Sequence, residues 1–397
     1  MASGMVPANR VNAASRWYHD EAKRAIAFQV LVAVVLASLI YYFVSNTLHN
    51  MESRGIASGF GFLSHRAGFG ILQSLIDYSE SSSYGRTFFV GLLNTVLVSV
   101  LGIILATLLG FAVGVARLSN NWLLSRLAAV YIETFRNIPL LLQIFFWYFS
   151  VLRTLPNPRQ SVNIGDAVFL NIRGLYMPAP IFGNGFGWVV ALFVVAVVVS
   201  IVLLRRAHHK QLETGIHQRA WPYVLLLLIG LPGIAFVATG MPLSMELPAL
   251  HGFNFKGGLV IIPELAALLV ALTIYTSSLI AEIVRSGINS VNKGQIEASS
   301  ALGLSRGKAL RLVILPQAMR VIIPPLTSQF LNLTKNSSLA TAIGYPDLVN
   351  VFMGTTLNQT GQAIEIIAMT MLVYLVISLL TSWMMNAYNR KMALVER

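Results

Sequence analysis

Apolar stretches long enough to cross a lipid bilayer recur along the whole of this 397-residue chain. A spanning helix needs about 20 mostly apolar residues. Lipid forbids other exposed backbone, because unpaired N–H and C=O groups find no water there. Eight stretches qualify: 25–48, 87–116, 138–155, 187–204, 221–239, 263–284, 316–337 and 363–386. Composition agrees, since only 11% of residues are charged, against about a quarter in soluble domains. The expected fold is an all-α polytopic membrane protein with about eight transmembrane helices. The stretch 25–44 is too long for the apolar core of a cleavable leader and reads as a retained helix. There is no cysteine, which excludes a disulfide scaffold, a thiolate metal site and a cysteine nucleophile.

The net charge of +13 would suggest a nucleic-acid partner in a soluble protein. Its distribution argues against one. With the N-terminus in the cytoplasm and the spans alternating, 20 of the 28 basic residues fall on the cytoplasmic side. Only Arg54, Arg66, Arg86, Arg153, Arg159, Arg173, Lys256 and Lys335 fall elsewhere. The acidic residues split evenly, so the whole positive excess lies inside, as the positive-inside rule requires. Both termini are expected in the cytoplasm, and no nucleic acid is needed. Three Gly-, Pro-, Ser- and aromatic-rich segments (49–86, 156–186 and 240–262) are expected outside as loops able to form a lid or docking surface.

The most specific segment lies between the sixth and seventh spans. It reads Glu297-Ala298-Ser299-Ser300-Ala301-Leu302-Gly303 and runs on to Val313-Ile314-Leu315-Pro316. The pattern predicts two short helices broken at Gly303, where glycine accepts positive φ, with Ser305 capping the second. Small residues at 298–301 would let another protein approach closely. This segment resembles the EAA loop of binding-protein-dependent ABC importer permeases. That loop reads Glu-Ala-Ala, three residues, Gly, nine residues, Ile, one residue, Leu-Pro. Here Ser299 replaces the third small residue and Val313 replaces Ile. The resemblance implies that Glu297, Ala298, Ser299, Gly303, Leu304, Arg306, Leu315 and Pro316 couple the chain to a separate ATPase. An ordinary basic loop is the plainer alternative.

Three further segments resemble the polar amino-acid (histidine/glutamine-type) branch of that family. They are Tyr84–Thr87 with Gly91–Thr95, Ile132–Gln143, and Thr334–Leu339 with Ile343-Gly344. The chain departs from the short members by an extra N-terminal helix and an inserted helix pair. That plan is similar to the first, Q-type permease subunit of general L-amino-acid importers. The expected division is 1–83 (tail, first helix and external loop), 84–155 (first part of the permease core), 156–262 (inserted loops and helix pair) and 263–397 (second part of the core), with the coupling loop at 290–316. The resemblance implies the type I ABC importer permease fold, a second related permease, two ATPase copies, a periplasmic amino-acid-binding protein, an amino-acid substrate, a surround of membrane lipid, and a multi-pass place in the bacterial inner membrane.

The chain itself is not expected to bind ATP. The nearest approach to a P-loop is Gly303-Leu304-Ser305-Arg306-Gly307-Lys308-Ala309. It has one residue too few between the glycines and lacks the Ser or Thr that holds Mg²⁺. ATP and Mg²⁺ would belong to the ATPase, and no cofactor, metal or catalytic constellation is expected here. Gln329, Asn332, Lys335, Asn336 and Ser337 follow Pro324 and Pro325, so they either line a substrate path or form a solvated loop. Glu365, a carboxylate at membrane depth, either meets a substrate ammonium or pairs at the interface, for example with Lys335. Gly110 and Gly114 form a GxxxG seam, within the chain or towards a partner. Two readings outside this branch remain: a gradient-driven secondary transporter, which should bury several carboxylates, and a membrane enzyme. Within the branch, a glutamate/aspartate or glutamine permease is the near alternative.

Overall fold

The computed structural model describes residues 21–53, 58–215 and 219–392. Arg10, Arg16, Arg54 and Arg397, counted above in the charge distribution, lie outside the described residues. Among the described residues, seven helices are long and apolar enough to cross a membrane, or eight when one bent pair counts as a span. They are α1 (Glu21–Ser53), α2 (Tyr84–Arg117), the pair α3 (Trp122–Asn137) and α4 (Leu140–Phe145), α5 (Phe186–Thr214), α6 (Trp221–Ala238) and α7 (Pro263–Asn289). The last two spans are built on α10 (Leu315–Asn336) and α12 (Ala363–Met392); the short α8 (Lys293–Ala301) and α9 (Arg306–Ala309) precede α10, and the short α11 (Leu357–Thr360) precedes α12. The chain is a multi-pass, mostly helical membrane protein.

Local chemistry sets the helix ends. Ser83 and Asn121 cap α2 and α3, their side chains accepting from the Arg86 and Leu124 amides. The expected span at 138–155 begins instead at a sharp corner. Ile138 is extended ahead of Pro139, as the pyrrolidine ring demands. The helical run 140–154 therefore leaves α3 at a bend of 104°. α10 runs unbroken to Asn336 through Pro324 and Pro325. The irregular backbone comes after it, as a 3₁₀ stretch (Ser337–Ile343), a turn at Gly344–Asp347 and a π-helical stretch (Val349–Thr356).

The core is α2, α4, α7 and α10, with α3 and α12 against its flanks. One face of α2 is a seam of small residues. A Cβ on Gly110 would stand 2.7 Å from Ile280, and one on Gly114 2.8 Å from Val284. The GxxxG pair thus serves packing within the chain, against α7. A Cβ on Gly91 would meet the Leu348 backbone at 2.9 Å.

The two segments read as external loops at 156–186 and 240–262 contain eight short strands: β1 (Val162–Ile164), β2 (Val168–Asn171), β3 (Gly174–Met177), β4 (Ala179–Phe182), β5 (Leu243–Glu246), β6 (Ala249–His251), β7 (Asn254–Lys256) and β8 (Leu259–Ile261). An antiparallel sheet runs β1-β2-β3-β8, and β4-β5 and β6-β7 form separate pairs. β3–β8 and β4–β5 join the chain before the α5–α6 hairpin to the chain after it. Gly174, at φ +132, is where β3 crosses so near Ile261 that a Cβ would clash with its carbonyl oxygen.

Candidate functional site

α8 and its turn stand clear of the helical core at the foot of α10. Asn292 caps α8 from its side chain onto the Gly294 amide at 2.8 Å. The helix ends in a Schellman turn: the Leu304 N–H reaches the Ser299 carbonyl at 3.2 Å and the Gly303 N–H reaches Ser300 at 2.9 Å. Gly303 takes φ +71, which accounts for glycine there. Ser299 is buried and donates its hydroxyl to Ile296 at 2.7 Å, locking the inner face. Glu297, Ala298, Ser300 and Ala301 are exposed. Beside them Leu302 is 80% exposed and Leu312 63%. Apolar side chains so displayed around one carboxylate suit contact with another protein.

The Ser305 carbonyl accepts from the Ala309 amide at 2.8 Å. Arg306 opens α9, and its side chain lies outside the described structure. Leu304 is half-buried, as is Leu315. Pro316 is the second residue of α10, which directly follows the π-helical turn Leu310–Ile314, the kind of irregularity in the hydrogen-bond ladder that accompanies a residue with no N–H. From Gly307 to Ile343 the chain forms one helical rod of 37 residues, roughly 55 Å long at 1.5 Å per residue. Gln317 on the rod donates to Gln295 on α8 at 3.3 Å. This bridge spans a cleft of about 690 Å³ that also meets Arg320. A push on α8 therefore has two routes into α10, through the chain and through the glutamine pair.

The residues predicted for a substrate path separate. Gln329, Asn332, Lys335 and Asn336 lie on the last two turns of α10, with Asn332 and Lys335 exposed. Lys335 lines a hollow of about 600 Å³ with Ser338 and with Thr370, Tyr374 and Ser378 of α12. Ser337 is buried and spends its hydroxyl on the Thr334 carbonyl at 2.8 Å. Glu365 is buried too, and its Oε1 accepts the Gly59 amide at 2.5 Å. It ties the segment after α1 to α12, and no ion pair joins it to Lys335 among the described residues.

A buried polar network behind the hollow escaped the sequence. Asn94 donates to the Pro346 carbonyl at 2.8 Å and to Gln73 at 2.9 Å. Thr95 accepts the Leu348 amide at 3.0 Å. Asp347, fully buried, accepts the Asn350 amide at 2.8 Å and caps the Val349–Thr356 stretch. The signal for it was a Pro-Asp pair ahead of an apolar run. These bonds clamp the 344–350 turn onto α2.

A second hollow, of about 690 Å³, opens between the sheet and the start of α7. Tyr148, Arg153, Arg173, Tyr176, Asn254 and Glu264 line it. Tyr148 donates to Glu264 at 2.8 Å, and Arg153 donates to the Tyr148 oxygen at 3.2 Å. Burial holds the Tyr176 phenol above its usual range, so it stays protonated and donates to Asn254 at 3.2 Å.

Residues 215–394 match the family model described as the binding-protein-dependent transport system inner membrane component. YhdX of Escherichia coli strain K12, assigned as an amino-acid ABC transporter permease protein, is 58% identical over 94% of this chain and 95% of its own length. The general L-amino acid transport system permease protein AapQ of Rhizobium johnstonii is 52% identical over 96% of this chain and 94% of its own. The glutamate/glutamine/aspartate/asparagine transport system permease protein BztB of Rhodobacter capsulatus is 41% identical over 96% of each chain. Among solved structures, an amino acid ABC transporter with histidines matches at 20% identity and a TM-score of 0.46, over 78% of this chain and 95% of that one.

Proposed function

Because the chain belongs to the family of inner-membrane permease components of binding-protein-dependent, ABC-type amino-acid transport systems, we propose that it is the membrane-spanning half of an importer of L-amino acids with broad specificity. It has the type I importer permease fold and sits in the bacterial inner membrane with both termini in the cytoplasm. A second related permease completes the path. Two ATPase copies hold ATP and Mg²⁺ and dock on the face that carries α8. A soluble amino-acid-binding protein docks on the opposite face, against the β-sheet cap. The chain has no catalytic residue or cofactor of its own.

In this reading, closure of the ATPases on ATP carries α8 with it. Gln295–Gln317 and the turn at Gly303 pass the motion to the rod, and the far end of the rod bears Lys335. The permeases rock between inward-open and outward-open states, and an amino acid crosses between them. The observation that carries the reading is the displayed helix Lys293–Ala301, with Glu297 and Leu302 outward, fixed to the foot of α10. Broad specificity rests on the likeness to AapQ, a general L-amino-acid permease.

The test is co-purification of the tagged chain in mild detergent, with uptake of labelled amino acids by the reconstituted complex. The unaltered chain brings down a P-loop ATPase and a second permease. Glu297→Arg keeps the permease and loses the ATPase. Uptake falls roughly 30-fold or more, the consequence of losing a contact worth at least about 2 kcal/mol. A chain that purifies without an ATPase under every mild condition ends the proposal. Uptake confined to glutamate, aspartate and glutamine narrows the substrate class.

A further inference from the structure

The α5–α6 hairpin leaves open a hollow at the end where the two helices turn over. It has a volume of about 850 Å³. Arg206 and Lys210 enter it from the last turns of α5, and Arg219 enters it just ahead of α6. Among the described residues no carboxylate lines it. The single acid of α5, Glu213, meets His209 at 3.1 Å instead. Three cations around one cavity repel each other unless an anion sits among them.

The walls say which anion. Leu203 and Leu226 continue the lining towards the middle of the span, so the cavity is charged at its mouth and apolar beyond. Trp221 and Tyr223, 64% and 66% exposed, stand in the first turn of α6 at the same level as the cations. Amphipathic aromatics concentrate at the headgroup layer of a bilayer, which places the three cations at phosphate depth. A free phosphate would leave the leucine walls unmatched. A phospholipid with net negative charge fits both parts, and basic pockets between spanning helices are a recognised form of such sites.

We propose that the hollow between α5 and α6 binds an acidic phospholipid. Its phosphate lies among Arg206, Lys210 and Arg219, and its acyl chains lie along Leu203 and Leu226. The lipid would fasten the inserted hairpin, whose contacts with the helical core are few. This assignment does not depend on what the chain transports.

The test uses the full chain, with the subunits it retains, in vesicles of mixed phosphatidylglycerol and phosphatidylcholine. Photoactivatable phosphatidylglycerol should crosslink mainly within residues 203–227, and the matching phosphatidylcholine probe should not. The triple variant Arg206→Gln, Lys210→Gln, Arg219→Gln should weaken capture on the order of 100-fold, the sum of three cation contacts. Arg206→Lys with Arg219→Lys should keep it. If the triple variant fails to fold, the unaltered chain and the lysine variant still decide the matter. Crosslinks spread evenly over the spanning helices, equal capture of the two lipids, or displacement by excess inorganic phosphate would each overturn the assignment.

Discussion

α5 and α7 are both spanning helices, yet they meet opposite surroundings. α5 is the more apolar of the two, but only 11% of its most apolar window is buried within the chain, against 56% for α7. In water the more apolar helix would be the inner one. In a bilayer, lipid is as apolar as leucine, so apolarity gives a helix no reason to seek protein. Close approach and polar partners do. α7 carries Thr276, Ser277 and Ser278, all buried, and receives the glycines of α2. α5 buries only Ala196 and Ser200. Between these two helices, then, small and polar residues mark the one that packs, and apolarity alone does not.

Packing offers the severest test of that contrast. Gly110→Val places two methyl groups where even a Cβ would stand 2.7 Å from Ile280. Neither helix backbone can yield without shifting the other. The expected loss is about 3 kcal/mol, read as a lower thermal midpoint of the purified chain and a lower yield of folded protein. A variant as stable as the parent would mean that α2 and α7 pack less closely than described, and the division between core and insert would weaken.

Much of this was legible in the sequence, for physical reasons. A span is a local property, since length and apolarity are imposed by the thickness of the bilayer. The local structure of 293–309 was legible because a short helix, a glycine turn at Gly303 and a second helix start follow one another within a few residues. The β-sheet cap was not. Its strands have only three or four residues, and β3 finds its partner β8 across the whole α5–α6 insertion. Glycine and proline in those segments read as loop. The buried network was hidden for the same reason: Asn94 donates to the carbonyl of Pro346, 252 positions away. Glu365 shows the limit of a rule about residue type. A carboxylate at membrane depth left a substrate or an interfacial partner open, and the partner that the structure gives its Oε1, the Gly59 amide, lies 306 positions away.

Polar side chains sharpen the contrast next. Asn94→Leu removes two donors and leaves the Pro346 and Gln73 carbonyls without them. Each buried group left unpaired costs about 1–3 kcal/mol. The expected total is about 2 kcal/mol, with faster amide exchange over 344–350. Ser200→Ala on α5 is the control. That hydroxyl is buried with no partner among the described residues, so its removal should leave stability unchanged or raise it by up to about 1 kcal/mol. Equal effects at the two positions would show that burial within the chain does not decide what a polar group is worth here.

The smallest effect belongs to Gly233 in α6. A Cβ there meets nothing within 4 Å, and the residue is helical with no positive φ. Alanine reduces the conformational freedom of the unfolded chain, and glycine inside a helix costs roughly 0.5–1 kcal/mol relative to alanine. Gly233→Ala should therefore leave the thermal midpoint unchanged or raise it slightly, although Pro232 beside it already disturbs the helix. Gly110→Ala, the same change in the core, should lower it, with a loss of stability of about 1–2 kcal/mol. Both changes add a single methyl group to a spanning helix, and the main difference between them is what stands opposite. A clear loss at Gly233 would point to a neighbour absent from the isolated chain, such as the second permease, and would move the hairpin from the lipid-facing side to an interface.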